Sequence, residues 1–124
     1  MATRSFIGYV DGEYIKYVYC HSDGYLDGVG KILKEHYDFQ KTKELISFGA
    51  ISVLGPNIGT ARNFNSPSDD QCLFYGRDRG DANTRASSAS SKIEYMIDAW
   101  GVEYVYLLEN GVWTVKYGRE FVPL

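Results

Sequence analysis

Two short turn signals, one near each end of the chain, constrain the fold most strongly. Asp11-Gly12 separates residues 5–10 from residues 14–20, and both segments are rich in Tyr, Ile and Val. Asn110-Gly111 separates residues 102–108 from residues 112–117 in the same way. Dipeptides of this type between β-forming segments favour tight hairpin turns, and Asn-Gly favours type I′ in particular. The chain is therefore predicted to begin and to end with a β-hairpin.

Apolar residues recur at helical spacing in the region between the hairpins. A first helix face has steps of three and four residues, and we expect its members, including one histidine, to face the core. A second, shorter helix fits residues 41–48, because Gly49 suits the position just after a helix end. The first face consists of Val29, Ile32, Leu33, His36 and Tyr37.

A third helix is predicted near the second hairpin, where apolar residues again recur at the spacing of one helix face. Gly101 follows this segment and marks its end. The residues that share the face are Ala89, Ile93, Met96, Ile97 and Trp100.

The centre of the chain is dominated by turn-forming residues. Residues 55–71 carry no usable periodicity and are predicted to form one long loop. Residues 72–76, "CLFYG", suit a short strand, and a polar stretch, "RDRGDANTR", follows it. The resulting order, β-β-α-α-loop-β-α-β-β, lacks the regular alternation of a parallel sheet. We therefore predict a single α+β domain over residues 1–124, with an antiparallel sheet built from both hairpins and packed with two to three helices.

Charge and cysteine content exclude several classes of protein. A net charge of −3 argues against binding duplex nucleic acid through its phosphates, because such proteins need a basic surface. Two cysteines are too few for a disulfide framework, and their spacing is not that of a metal site. No segment has the length and polarity of a signal peptide or a membrane span. The expectation is a cytosolic protein, with eleven tyrosines that suit subunit interfaces or ligand walls.

The stretch "YCHSDGYLDGVGKILKEHY", residues 19–37, superficially resembles a phosphate-binding loop. Five residues, not four, separate Gly24 from Gly30, and Ile32 stands where a P-loop needs Ser or Thr. Two interpretations remain: a turn whose Asp23 or Asp27 caps the following helix, or a helix N-terminus that binds an anion.

His21 and Asp23 are the candidates for acid-base chemistry. A neighbouring carboxylate raises the pKa of a histidine, so such a pair could act in hydrolysis. The sequence supplies no nucleophile beside them, and a metal held by several histidines and carboxylates would need more than these two residues provide.

Arginines are concentrated in the middle of the chain. No lysine occurs between Lys43 and Lys92, yet four of the six arginines lie in that window, where aspartates balance their charge. Guanidinium groups hold phosphates bidentately and stack on flat rings, so the distribution fits a nucleotide pocket. A solvated loop with internal Arg-Asp pairs and a core phenylalanine fits equally well. The window contains Arg62, Arg77, Arg79, Arg85, Asp69, Asp70, Asp78, Asp81, Phe74, Tyr75, Asn83 and Thr84.

The runs "MATRSFIGYV" and "YVYCHSDGYLDGVGKILKEHY", with "RDRGD" and an aromatic C-terminal hairpin, resemble small bacteriophage proteins, specifically the first type of anti-Thoeris protein. Such proteins sequester the cyclic ADP-ribose isomer made by a bacterial TIR-domain immune enzyme. The resemblance implies a homo-oligomer that holds the signal, and in some members cyclic oligonucleotides, at subunit interfaces without cleaving it. Carried onto this chain, it implies adenine stacking on Phe74, pyrophosphate contacts from Arg77, Arg79 and Arg85, a ribose or base contact from Asn83, and a further contact from Arg4.

The expected function is accordingly that of a phage anti-defence sponge in the host bacterial cytoplasm. It would bind a nucleotide-derived signal, with no catalytic residue, no cofactor or metal, and no duplex nucleic acid or membrane as partner. Two alternatives stay open: a small phosphodiesterase that uses His21 and Asp23, and an inhibitor of a host protein that binds through a tyrosine-rich surface.

Overall fold

A computed structural model describes residues 3–66 and 70–124. In these two ranges the chain forms one mixed sheet of eight strands, with four short α-helices packed on it. The strands are β1 (Ser5–Asp11), β2 (Tyr14–Cys20), β3 (Ile51–Val53), β4 (Leu73–Phe74), β5 (Ser87–Ala89), β6 (Tyr104–Glu109), β7 (Val112–Lys116) and β8 (Val122–Pro123). The helices are α1 (Lys31–His36), α2 (Phe39–Ser47), α3 (Tyr75–Arg79) and α4 (Lys92–Asp98).

Both predicted hairpins are present. β1 pairs with β2 around Gly12 and Glu13, and β6 pairs with β7 around Asn110-Gly111, where both residues have the positive φ of a type I′ turn, 52° and 77°. The two hairpins join edge to edge, because β1 also pairs with β6 in parallel. The sheet order is β4-β3-β2-β1-β6-β7-β8, and β5 pairs with the outer edge of β2 beside β3. The α+β prediction is confirmed, with a sheet that is mostly antiparallel.

The elements that the sequence did not predict are short. β3, β5 and β8 have two or three residues each, and α3 has five, which is too few to show a period. The predicted long loop is present between β3 and β4, although its residues 67–69, including Asp69, lie outside the described ranges. Among the helices that are described, none is both long enough and apolar enough to cross a membrane.

The sheet separates two hydrophobic layers. One face is covered by α1, α2 and the start of the long loop, and its buried residues include Ile7, Val18, Leu33, Leu45 and Tyr106. The other face is covered by α4 and Phe121, and its buried residues include Ile15, Tyr17, Tyr95, Ala99 and Leu107. α2 begins two residues earlier than predicted, because the Asp38 side chain accepts a hydrogen bond from the backbone N–H of Lys41 and caps it.

The stretch that resembled a phosphate loop forms a single π-helical turn, Leu26–Gly30, that runs into α1. No aspartate side chain caps it; instead the backbone carbonyl of Asp23 accepts a hydrogen bond from the N–H of Val29. The buried stripe then proceeds in steps of four through Val29, Leu33 and Tyr37. His36 lies one position off that stripe and is exposed, which corrects the expectation that it is a core residue.

α4 packs through the opposite face from the one its sequence suggests. Tyr95 and Ala99 are buried, whereas Ile93 and Ile97 are each 67% exposed and Trp100 is 89% exposed. Tyr95 decides this orientation, because its ring packs on Tyr17 and its hydroxyl donates to the buried carbonyl of Tyr106 at 2.8 Å. Ile93, Ile97 and Trp100 of the predicted apolar face therefore point to solvent, whereas Ala89 lies in β5 and is buried.

Candidate ligand-binding groove

A groove of about 780 Å³ lies beside the loop of residues 80–86 that joins α3 to β5. Its walls are the end of α2, the start of α3 and the loop itself, which contributes Asn83, Thr84 and Arg85. A narrower slot of about 180 Å³ adjoins the groove and shares these three loop residues with it. The floor of the slot is aromatic, formed by Phe6, Tyr17 and Tyr19. Together the two cavities have the size of small-molecule sites in proteins.

The loop is held in place at Thr84. The backbone N–H of Ala50 donates to the carbonyl of Thr84 at 2.7 Å, which fastens the loop to the start of β3. Two glycines permit this close approach: a Cβ on Gly49 would overlap the Thr84 carbonyl, and a Cβ on Gly76 would stand 2.6 Å from Thr84 Oγ1. Contacts within the chain therefore hold the loop backbone at Thr84, between Asn83 and Arg85.

Asn83 and Arg85 flank this anchor, and both are exposed to the groove and the slot. Asn83 adopts a left-handed conformation, φ 59°, which asparagine tolerates better than most residues. In the part of the chain that the structure describes, neither side chain makes a hydrogen bond or an ion pair. The Asn83 amide and the Arg85 guanidinium are thus available to bind a ligand.

Arg77 also lines the groove, but its hydrogen-bonding capacity is already used. Nε and Nη2 donate to the carboxylate of Asp78, Nη2 also donates to the carbonyl of Cys72, and Nη1 donates to the carbonyls of Ile58 and Gly59. These five bonds match the five N–H donors of a guanidinium. The expected phosphate contact from Arg77 is therefore corrected to a structural role, closing the long loop onto α3.

Phe74 is fully buried and packs beneath the Arg77 guanidinium, whose central carbon lies 4.6 Å from the ring centroid. It also contacts Phe48, with 5.2 Å between ring centroids. A ring without exposed surface cannot stack on adenine, so the expected stacking role of Phe74 is corrected to a core role. The alternative interpretation of this window, a core phenylalanine with internal Arg-Asp pairs, describes Phe74, Arg77 and Asp78.

Arg79 borders the groove only through Asp81. Its Nη2 lies 2.7 Å from the Asp81 carboxylate, and its guanidinium stacks over the rings of Phe64 and Tyr75, 4.8 Å from each centroid. The guanidinium holds the pKa of Asp81 below its usual range. The Arg79 side chain remains about half exposed, at 49%, but it faces its own carboxylate partner, not the groove.

Arg4 lies apart from the groove and the slot. Its backbone N–H donates to the Glu103 carboxylate at 2.9 Å, and its Nη2 donates to the carbonyl of Gly101 at 3.3 Å. These contacts fasten the start of β1 to the segment before β6, so the structure does not bring Arg4 together with Asn83 and Arg85.

The aromatic floor of the slot comes from the first hairpin. Phe6 stacks on Tyr17 with 5.4 Å between ring centroids, and Tyr19 meets Phe6 edge-on at 6.2 Å. Burial, reinforced by a hydrogen bond to Asp98, raises the pKa of Tyr17 to about 12. The phenol therefore stays neutral at physiological pH, and the slot presents an uncharged aromatic surface.

His21 pairs with Tyr19, not with Asp23. The distance between His21 Nδ1 and the Tyr19 hydroxyl is 2.7 Å, whereas Asp23 accepts a long hydrogen bond from Tyr25. Across residues 3–66 and 70–124 no hydrogen bond or ion pair joins His21 to Asp23, and no three His, Cys, Asp or Glu residues are placed to hold a metal ion. The expected acid-base pair is thus not formed in this structure.

Two of the six residues expected in the site, Asn83 and Arg85, converge on the groove with their polar groups unused. The aromatic floor was not predicted, although a signal was available: Tyr17 and Tyr19 alternate along β2 and so share one face of the sheet. Comparison of this chain with protein-family models, curated proteins and solved structures finds no match.

Proposed function

We propose that this protein binds a small nucleotide-derived anion in the groove and releases it unchanged. The observation that carries the proposal is the pair Asn83 and Arg85, which have no partner among the described residues and flank a fixed point of the loop above an aromatic slot. Through the resemblance of its sequence, the ligand class is a cyclic ADP-ribose isomer or a related cyclic nucleotide. The role is then that of a phage sponge acting in the host bacterial cytoplasm.

The chemistry of the cavity matches the parts of such a ligand. The Arg85 guanidinium offers parallel N–H donors to a pyrophosphate, and the Asn83 amide offers a donor and an acceptor to a ribose hydroxyl or a base edge. The slot beside Phe6 and Tyr19 provides an aromatic wall for a flat base, an interaction worth about 1 to 3 kcal/mol.

The free energies of the available contacts indicate that one groove alone does not bind the ligand tightly. A charge-assisted contact from Arg85 adds about 1.5 to 3 kcal/mol, and base stacking about 1 to 3 kcal/mol. A micromolar dissociation constant corresponds to about 8 kcal/mol. The proposal therefore includes a second copy of the chain that adds contacts to the ligand, so that the site lies at a subunit interface of a homo-oligomer.

One structural observation bears on each of the two alternative functions. A phosphodiesterase would need His21 as acid or base, and His21 is held by Tyr19 on the same sheet face as the slot. An inhibitor of a host protein would use exposed tyrosines, and Tyr14, Tyr25 and Tyr117 are each between 42% and 57% exposed. Among the described residues, neither arrangement places an unpartnered guanidinium and amide beside an aromatic slot.

Incubation of the protein with a cyclic ADP-ribose isomer, followed by desalting, heat denaturation and mass spectrometry, tests the proposal. The ligand is expected to be recovered at its original mass. Arg85→Ala is expected to weaken binding by roughly 10- to 100-fold, the equivalent of one charge-assisted contact. It should leave the free energy of unfolding unchanged, because Arg85 has no partner to lose among the residues that the structure describes.

Arg4→Ala is the matched control, since it removes the same charge from a half-exposed site outside the groove and should retain affinity. Wild-type affinity in Arg85→Ala contradicts the proposed site. Recovery of a hydrolysed ligand, abolished by His21→Ala with binding intact, would establish the phosphodiesterase instead.

A further inference from the structure

The outer surface of α4 exposes more apolar area than a solvent-facing helix needs. Ile93 and Ile97 lie four residues apart on one side of α4, and Trp100 follows three residues later in the turn after the helix end; these three residues are here named the α4 outer face. Its members are between 67% and 89% exposed. Contiguous apolar patches of this kind on a folded domain mark interaction sites more often than chance exposure does.

A pocket of about 220 Å³ opens directly beside this face. Trp100 forms part of its rim, Met96 and Val102 contribute apolar walls, and Lys116 and Tyr117 at the end of β7 close the far side. A cavity of roughly 150 Å³ holds a benzene ring in a protein core, so this pocket has room for an indole. A projecting Trp100 and a pocket that accepts a side chain of its size therefore belong to the same small patch.

We propose that two copies of this chain pack through their α4 outer faces about a twofold axis, each inserting Trp100 into the pocket of the other. A twofold contact requires a self-complementary surface, in which a projection and its receptor lie on the same patch. Trp100 borders the pocket that receives Trp100 of the other copy. The two indoles therefore lie close to the twofold axis, and both insertions form together. This inference goes beyond ligand binding and does not depend on the groove.

The charged residues around the pocket favour this occupant. Glu103 is neutralised within its own chain by Arg4, whereas Lys116 has no hydrogen-bond or ion-pair partner within the described ranges. An ammonium group at the wall of the pocket is positioned for a cation-π contact with an inserted indole. Met96 adds a thioether, which packs favourably against aromatic rings.

The size of the patch indicates a reversible dimer. Aromatic side chains bury roughly 150 to 250 Å² each, so Trp100 and Tyr117 supply about half of the ~800 Å² that each partner contributes to a standard interface. Ile93, Ile97 and Met96 supply part of the remainder. An interface of this extent dissociates on dilution, unlike the larger interfaces of obligate dimers.

Sedimentation equilibrium of the full chain without ligand tests the inference. The wild-type protein is expected to shift from monomer to dimer as its concentration rises. Trp100→Ala is expected to weaken the dimer by roughly 30-fold or more, as truncation of a central tryptophan does at protein interfaces. Tyr25→Ala is the matched control, because Tyr25 is an exposed aromatic residue away from α4 and its loss should leave the dimer unchanged.

Tryptophan fluorescence provides a second measurement on the wild-type chain. Trp113 is buried, and its indole N–H donates to the carbonyl of Tyr37, so the quencher-accessible signal comes from Trp100. Its accessibility to iodide should fall as the dimer forms. Ile97→Glu should give the same monomer as Trp100→Ala, and circular dichroism verifies that both variants fold.

Three results would overturn the inference: a wild-type monomer at every concentration, a dimer that persists in Trp100→Ala and Ile97→Glu, or a dimer in which Trp100 remains fully quenched by iodide. None of these measurements involves the groove or its ligand. A dimer that persists in both variants therefore leaves the groove proposal intact, and failed ligand binding leaves the dimer intact. A wild-type monomer at every concentration would also count against the second copy that the groove proposal includes.

Discussion

Arg77 and Arg85 line the same groove in opposite electrostatic surroundings. Arg77 is 9% exposed and faces the fully buried carboxylate of Asp78 at 2.9 Å, so the two charges are removed from water together. Arg85 is exposed and has no such partner among the described residues. Breaking a buried ion pair is costly because it leaves one charge unpaired in the interior. One arginine therefore stabilises the fold, and the other remains available for a ligand.

The Asp78 carboxylate makes stability depend on pH in the acid range. Burial raises the pKa of Asp78, but hydrogen bonds from Arg77 and from the backbone N–H groups of Phe74 and Arg62 outweigh burial, and the pKa lies below its usual value. A lowered folded-state pKa stabilises the folded protein above the unfolded value, about 3.9 for aspartate. This contribution is lost as the pH falls from there towards the folded pKa.

Urea unfolding of the wild type and of Asp78→Asn, from about pH 6 down to about pH 2, measures this contribution. Asp78→Asn is expected to lower the free energy of unfolding by about 3 to 5 kcal/mol at neutral pH, because it leaves Arg77 buried and unpaired. The difference between the two proteins should shrink as the pH falls below about 4. A difference that does not change with pH would contradict the role assigned to this carboxylate.

The loop of residues 80–86 owes its position to a contact with the segment that links α2 to β3. Thr84 accepts a hydrogen bond from Ala50 and lies against Gly49, whose φ of 84° places it in the left-handed region. No side chain fits between Gly49 and the Thr84 carbonyl. The groove therefore depends on a glycine that lies outside its lining.

Gly49→Ala and Gly80→Ala form a matched pair that tests this dependence. Both glycines have a positive φ near 80°, but only Gly49 has a neighbouring atom that a new Cβ would strike. Gly80→Ala is expected to cost about 1 to 2 kcal/mol, the price of a left-handed alanine. Gly49→Ala should cost more and should also weaken ligand binding, since the loop must move.

Equal losses of unfolding free energy in the two variants, measured in urea, would show that Thr84 does not anchor the loop. Calorimetry with the same cyclic ADP-ribose isomer measures the expected loss of ligand affinity separately from the loss of stability. Gly80→Ala should retain wild-type affinity.

At the scale of the whole molecule, one sheet connects the two ends of the chain. β1 pairs with β2 from the first hairpin and with β6 from the second, so the hairpins share their backbone hydrogen bonds. Tyr106 on β6 also donates to the carbonyl of Gly24 at 2.6 Å, within the hydrophobic layer that α1 and α2 cover. Both hydrophobic layers contain residues from both hairpins, so neither layer of the core is complete without the two hairpins together.

We expect the chain to unfold in a single cooperative transition, as the prediction of one domain over residues 1–124 requires. Far-UV circular dichroism reports on the whole sheet, and fluorescence of buried Trp113 reports on the face covered by α1 and α2. The two signals should have coincident midpoints in urea. Separate midpoints would show that the two halves of the sheet fold independently.

Local chemistry was sufficient to predict the hairpins and α2. Asn110-Gly111 adopts the turn that its own backbone preferences favour, and Gly49 follows the end of α2 for the same reason. Short elements such as β3 and β5 escaped prediction because remote strands supply most of what holds them in place: β2 and β4 for β3, and β2 for β5. Of the expected site residues, Asn83 and Arg85 line the groove with unused polar groups among the described residues, but composition and position could not separate them from Arg77, which is enclosed.

By itself, the sequence determined where the chain turns and which segments form the two hairpins, because those choices depend on residues adjacent in the chain. Tertiary structure alone decided that α4 packs through Tyr95, leaving Trp100 in solvent, and that Arg77 is enclosed while Arg85 is not. The partners responsible are distant in sequence: Tyr106 for Tyr95, and the carbonyls of Ile58 and Gly59 for Arg77. A pattern of residue types records which side chains can be buried, but only contacts between remote segments decide which of them are.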